Sequence, residues 1–190
     1  IQMRPIKARI SIDAMAHNLR VARSHAGTTC VFAVVKANAY GHGLSRALRA
    51  LAAADGFAVL TLEEAANLRL MGVEKPILLL EGIFGADEIA TCAELDLWPV
   101  LHYAVQIDWL QQQPPARPLQ IFLKFDSGMH RLGLPLADHA AVVGRVRSLA
   151  FNPANGHVYL LNPNRQTLYE LSEDGQLLAT RDLTAADAAL

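Results

Sequence analysis

Two lysines and an arginine stand where their chemistry could be used. Lys36 closes an apolar run, Val31-Phe32-Ala33-Val34-Val35, and is followed by Ala37-Asn38-Ala39-Tyr40-Gly41-His42-Gly43. Burial penalises the charged form of an amine, so a lysine at the end of a buried strand is more readily neutral and able to attack a carbonyl as a Schiff-base nucleophile. A lysine whose stem lines the strand end while its ammonium reaches water would sit in the same place, and position alone does not choose between the two. The second run, Leu123-Lys124-Phe125-Asp126-Ser127-Gly128-Met129-His130-Arg131-Leu132-Gly133, puts Lys124 on a strand and Arg131 seven residues later across a glycine turn. A guanidinium fork can hold both oxygens of a carboxylate, as an amino-acid substrate would require. Taken by itself, Arg131 could equally be a surface residue of a strand–helix loop.

The elements that must position these groups alternate along the chain. Apolar runs at residues 31–35, 57–60, 77–80, 98–101 and 119–123 read as strands. Helical spacing lies between them: Leu44, Ala47, Leu48 and Leu51 form one stripe, Ile89, Cys92 and Ala93 start a second, and Leu136, Ala140 and Val143 a third. Gly72 closes one helical stretch and Pro114-Pro115 stops another. Alternation of this kind predicts right-handed β/α units around a parallel sheet, an α/β fold. Each strand ends on a polar residue, Lys36, Thr61, Glu81, His102 and Lys124, at intervals of 25, 20, 21 and 22 residues. In a (β/α) barrel the strand ends form the mouth of the active site. For Thr61, Glu81 and His102 the plainer reading, a chain turning polar as it leaves a strand, is preferred. Of these three, Glu81 is the best placed to orient a neighbour by hydrogen bonding.

The run Val-Val-Lys-Ala-Asn-Ala-Tyr-Gly-His-Gly resembles the pyridoxal-phosphate lysine motif of the alanine racemase family. The run Lys-x-Asp-Ser-Gly-Met-x-Arg-Leu-Gly resembles that family's second signature. Leu79-Leu80-Glu81-Gly82, Leu97-Trp98-Pro99-Val100, Ile10-Ser11-Ile12-Asp13-Ala14 and His17-Asn18 are similar to it as well, so the likeness covers about residues 3–148. It implies an N-terminal part of a (β/α)8 TIM-type barrel with about five β/α units, and pyridoxal 5'-phosphate as cofactor. The implied reaction interconverts L- and D-alanine for cell-wall precursor supply. By the same resemblance Lys36 carries the cofactor and serves as acid/base on one face of the substrate, and Tyr40 contacts the cofactor phosphate. Arg131 binds the substrate carboxylate and the cofactor's phenolic oxygen, and Lys124 matches a lysine that is carbamylated in many members and orients that arginine. A homodimer is implied, with a second base, a tyrosine, supplied by another subunit's C-terminal domain. That tyrosine has no match among these 190 residues, and weak or absent turnover by this chain is the expectation. A non-catalytic pyridoxal-phosphate carrier, or an interaction protein organised around the C-terminal segment, are the alternatives.

That C-terminal segment changes character. Residues 149–190 contain no lysine and carry two arginines against five acids, whereas residues 1–148 carry 15 basic and 13 acidic groups. Short β-rich runs at 157–161, 167–171 and 176–180 are separated by Asn162-Pro163-Asn164 and Glu173-Asp174-Gly175, and predict a β-meander. The segment weakly resembles one blade of a β-propeller, which suggests a junction between unrelated coding segments; a small β subdomain docked on the barrel is the other reading. With 190 residues, 52% hydrophobic, the chain can bury a core of one or two domains. A formal charge of −1 gives no reason to expect nucleic acid or an anionic membrane as partner. Ile1 and Gln2 precede Met3-Arg4-Pro5, which reads as a natural start, and no secretory signal is evident; a cytoplasmic location is expected. Cys30 and Cys92 read as reduced core thiols, and the seven scattered histidines give no metal-ligand spacing.

Overall fold

A computed structural model describes residues 7–147 and, further on, the three strands of residues 158–162, 167–171 and 177–182. Five parallel strands, β1 (Phe32–Val34), β2 (Gly56–Val59), β3 (Ile77–Leu79), β4 (Leu97–Leu101) and β5 (Phe122–Leu123), lie side by side in chain order. Chain-order neighbours in a parallel sheet require a crossover between each pair, and the helices supply it. The chain divides into two compact units, the first ending at Ala58 and the second beginning at Val59.

In the first unit, α1 (Ile12–Ala26) starts at Ser11, whose side chain accepts the Ala14 amide at 3.1 Å. Its inward stripe is thin: Leu19 is buried, with Ile12, Met15, Ala16, Arg23 and Ala26 half-buried at helical spacing. This helix has no counterpart among the sequence-based expectations; its apolar residues are mostly small or partly exposed, Val21 facing solvent and only Leu19 reaching the core. It packs on α3 (Leu44–Ala50). There the deep contacts come from Ala47 and Ala50, flanked by the half-buried Leu44, Leu48 and Leu51. Arg23 fastens the unit from α1 by donating to Ala53 O at 2.5 Å and to Asp55 Oδ2 at 2.9 Å. Asp55 Oδ2 also accepts the Val31 amide at 2.7 Å, just ahead of β1.

In the second unit, α4 (Leu62–Leu70), α5 (Glu88–Glu94) and α6 (Ala104–Gln112) come after β2, β3 and β4. The core is built from Leu68, Ile77, Leu79, Leu97, Leu101 and Ile107, each at most 1% exposed. Arg69 ties helix ends to loops by donating to the carbonyls of Val73, Lys75, Leu95 and Asp96. After β5 come a short parallel pair, β6 (Phe125–Asp126) with β7 (Leu134–Pro135), a 3-10 turn at Leu136–Asp138, and α7 (His139–Arg147). The expected stripe Leu136, Ala140 and Val143 holds only at Val143. Leu136 is exposed in the 3-10 turn and Ala140 faces solvent, while Val142, Val143 and Val146 are buried. The helix begins at His139, after the tighter 3-10 turn, so Leu136 is out of phase with the buried stripe.

The strands anticipated for the meander are present: β8 (Val158–Asn162), β9 (Thr167–Leu171) and β10 (Leu177–Asp182) pair antiparallel in the order β10-β9-β8. Among the described residues, no helix is long and apolar enough to cross a membrane.

The two thiols part company. Cys92 is fully buried on α5, and burial together with the Glu88 charge pushes its thiol up to about 12, whereas Cys30 is exposed, against the expectation of a core position. The thiolate is the reactive form. Iodoacetamide at mildly alkaline pH is therefore expected to add once, at Cys30, with Cys92 labelled only after denaturation, as intact-mass and peptide mapping would show.

Candidate active site

β1 ends at Val34, and the chain reaches Lys36 through Val35, whose amide donates to Ala58 O at 2.9 Å in continuation of the sheet. Beyond Lys36 the backbone turns with the opposite hand. Ala37, Asn38, Ala39 and Tyr40 have φ of 51°, 53°, 54° and 54°, so α2 (Lys36–Tyr40) is one left-handed helical turn. Left-handed backbone costs roughly 1–2 kcal/mol per residue with a Cβ, and asparagine tolerates it best. Ala37, Ala39 and Tyr40 together thus store about 3–6 kcal/mol. Hydrogen bonds hold the turn: the Ala39 amide donates to Val35 O at 2.9 Å, Gly41 to Ala37 O at 3.0 Å, and His42 to Ala39 O at 3.0 Å. Gly41 and Gly43 continue at φ 81° and 94°, where a side chain would add strain.

The turn folds Tyr40 back on Lys36, so that Nζ lies 5.9 Å from the ring centroid. Lys36 is half-buried, and Tyr40 is 59% exposed, which leaves its hydroxyl open to a ligand. A half-buried amine beside an accessible phenol, on backbone fixed by internal hydrogen bonds, is a donor set that fits an aldehyde bearing a phosphate.

In the second unit, Lys124 continues β5, its amide donating to Leu101 O at 2.9 Å. Lys124 Nζ donates to Leu132 O at 2.5 Å, and Lys124 O accepts the Leu134 amide at 2.8 Å, so the loop from 125 to 133 is closed at its base. Burial first, and the positive charge of Arg131 second, hold the Lys124 ammonium below the usual lysine range, with Asp126 opposing them. Arg131 itself is exposed. Asp126 organises the loop: Oδ1 accepts the amides of Gly128 at 2.9 Å and His130 at 3.0 Å, and Oδ2 lies 2.9 Å from His130 Nδ1. The amides of His130 and Gly128 favour the ionised carboxylate and hold its pKa down. Their contribution is complete above the ordinary aspartate range and fades as pH falls through the lowered value.

The structure brings Lys36 to Tyr40 in the first unit and Lys124 to Arg131 in the second. The remaining strand-closing residues have structural work. Thr61 caps α4, its hydroxyl accepting the Glu64 amide at 3.2 Å. Glu81 does orient a neighbour, but with its main chain: Glu81 O accepts from His102 Nε2 at 2.8 Å and from Gln106 Nε2 at 3.1 Å. Gln106, 3% exposed, has no place among the sequence-based expectations, because a polar residue in a helical stretch reads as solvent-facing. Asn38 was equally silent apart from its place in the signature. Its type, with glycines at 41 and 43 after it, is the one local signal of left-handed backbone.

Residues 10–158 match the sequence model of the family described as alanine racemase, N-terminal domain. The chain belongs to the alanine racemase family. An alanine racemase from Thiobacillus denitrificans is 82% identical over 148 residues, which cover 78% of this chain and 40% of that protein. One from Aromatoleum aromaticum is 43% identical over 189 residues, covering 98% of this chain and 51% of that protein. Among solved structures, the biosynthetic alanine racemase of Pseudomonas aeruginosa superposes with a TM-score of 0.70 at 44% identity, over 75% of this chain and 40% of that one. The chain thus spans about two-fifths to one-half of the length of these relatives. Lys36, Tyr40, Lys124 and Arg131 all lie within the residues matched to the alanine racemase N-terminal domain. The parallel sheet with its crossover helices is that domain's partial barrel.

Proposed function

We propose that this chain provides the cofactor lysine for pyridoxal-phosphate-dependent racemisation of alanine. The observation that carries the reading is Lys36, half-buried at the end of β1, with the left-handed turn returning Tyr40 to its side. Lys36 and Tyr40 would hold pyridoxal phosphate, the first at its aldehyde and the second at its phosphate. When bound, the cofactor supplies an electron sink that makes the substrate's α-proton removable. Lys36 Nζ takes or returns that proton on its own face of the α-carbon, and a base on the opposite face completes inversion. By the family resemblance, Arg131 would offer the substrate carboxylate two parallel N–H groups and so fix the α-carbon. Membership of the alanine racemase family supports alanine as substrate, and a homodimer supplying the opposing base is the assembly that goes with it. Incubation with pyridoxal phosphate, reduction with borohydride and peptide mapping test the reading. A pyridoxyl adduct on Lys36 is expected; an adduct distributed over surface lysines would overturn it.

Lys124 belongs to the same proposal as a carbamylated residue. Carbamylation joins a neutral amine to carbon dioxide with release of a proton, so an amine kept below its usual pKa by burial is suited to it. The product is an anion, which turns the unfavourable pairing with Arg131 into an attractive one and steadies the guanidinium. With 13C-labelled bicarbonate, a carbamate carbon resonance is expected that strengthens as pH rises and disappears in Lys124→Arg. A spectrum unchanged by that substitution would exclude Lys124 as the site.

A further inference from the structure

The left-handed turn that places Lys36 beside Tyr40 is anchored to α3 chiefly by one residue, with Arg46 Nη1 adding a longer bond, 3.3 Å, to His42 O. Asn38, the residue of the four best able to adopt left-handed backbone, makes two bonds to the start of α3. Its side-chain Oδ1 accepts the Leu44 amide at 2.7 Å, and its main-chain oxygen accepts the Gly43 amide at 3.0 Å. The N-terminal residue of α3 is preceded by Gly43, which has no side chain to cap the helix. Asn38 therefore caps α3 from six residues upstream, and the same contact ties the strained turn to a packed helix whose Ala47 and Ala50 are buried. His42 adds a lighter clasp: its ring Nδ1 lies 2.8 Å from Ala39 O, so this nitrogen carries the proton and donates.

We infer that Asn38 is a positioning residue for the cofactor lysine: by clamping the left-handed turn to α3 it fixes Lys36 and Tyr40 relative to each other. The inference rests on the reading of Lys36 as the residue that carries pyridoxal phosphate. Both asparagine oxygens are taken up by backbone amides, so their role in the clamp requires no ligand. Without the clamp, Ala37, Ala39 and Tyr40 would relax towards ordinary backbone and swing the phenol away from the amine.

Three substitutions in the full chain separate the clamp from mere tolerance of the turn. Asn38→Asp keeps an acceptor oxygen, Asn38→Gly keeps left-handed freedom without the acceptor, and Asn38→Ala loses both. In the cofactor-free chain, amide exchange at Leu44 and the three-bond HN–Hα couplings of residues 37–40 report the clamp and the hand of the turn. Wild type and Asn38→Asp are expected to protect Leu44 and show left-handed couplings; Asn38→Gly and Asn38→Ala are expected to lose both. Titration with pyridoxal phosphate should then show near wild-type affinity and Lys36 labelling for Asn38→Asp. For Asn38→Gly the affinity should fall about tenfold, the scale of one lost hydrogen bond, with the far-ultraviolet spectrum retained. Wild-type affinity together with wild-type couplings in Asn38→Gly would overturn the inference, even if Asn38→Ala failed to fold. Absence of Lys36 labelling in the wild-type chain would instead sink the cofactor reading, while the cofactor-free measurements would still decide whether Asn38 holds the turn.

Discussion

Lys36→Ala is expected to abolish the visible absorbance that pyridoxal phosphate acquires on binding this chain, and to weaken cofactor binding by about two orders of magnitude, near 2.7 kcal/mol. The loss should be large because, on the proposed reading, the amine would make a covalent link that no other residue of the turn could replace. Tyr40 and the backbone would be left to hold the phosphate alone. Stability should hardly move. The contact that Lys36 Nζ makes with the Tyr40 ring is 5.9 Å long, at the outer limit of a cation–π interaction, and an exposed example is worth about 0.5–1 kcal/mol. The turn itself is held by backbone bonds that the substitution leaves in place. Cofactor titration by absorbance, run beside a thermal melt, separates the two effects. An unchanged absorbance in Lys36→Ala would show that another amine carries the cofactor, and a collapsed melt would show that Lys36 is part of the scaffold.

Much of this site was legible because strand ends and polar residues obey simple rules. Each of the five strands falls within a few residues of its apolar run, since a buried parallel strand must be apolar on both faces. Lys36 and Lys124 stand out for the same reason, as amines at the ends of such runs. The hand of the turn after Lys36 was not legible. Ala37, Ala39 and Tyr40 give no hint of positive φ, and only hydrogen bonds formed in the folded chain make that backbone stable. Cys30 was misplaced because an apolar neighbourhood in sequence, Thr29-Cys30-Val31-Phe32, lies just ahead of the strand and not within it. The third helical stripe held only at Val143 because the 3-10 turn at Leu136–Asp138 changes the phase of the helix after it. The strands β8, β9 and β10 fall on the short β-rich runs that turn-forming residues mark off in the sequence.

Gln106→Leu is expected to destabilise the second unit by about 3–5 kcal/mol, from four hydrogen bonds each worth about 0.5–1.5 kcal/mol net and partners that cannot all reach water. Its Oε1 accepts the amides of His102 at 2.9 Å and Tyr103 at 3.2 Å, while Nε2 donates to Glu81 O at 3.1 Å and Ile83 O at 3.0 Å. One side chain therefore satisfies both the segment leaving β3 and the segment leaving β4. Leucine fills similar space and offers none of these partners, so the loss is of pairing and not of volume. For a chain of this size the unfolding midpoint should drop by roughly 10 °C. Gln106→Glu discriminates the mechanism: it keeps the acceptor for His102 and Tyr103 but sets a second carboxylate oxygen against the carbonyls of Glu81 and Ile83. That carboxyl must hold a proton to donate, so the variant should be least stable at neutral pH and recover part of the loss as pH falls through the raised value. Thermal melts of both variants across pH measure this. A Gln106→Leu midpoint within about 2 °C of wild type would mean that the two segments are held by their packing, and that the glutamine is dispensable.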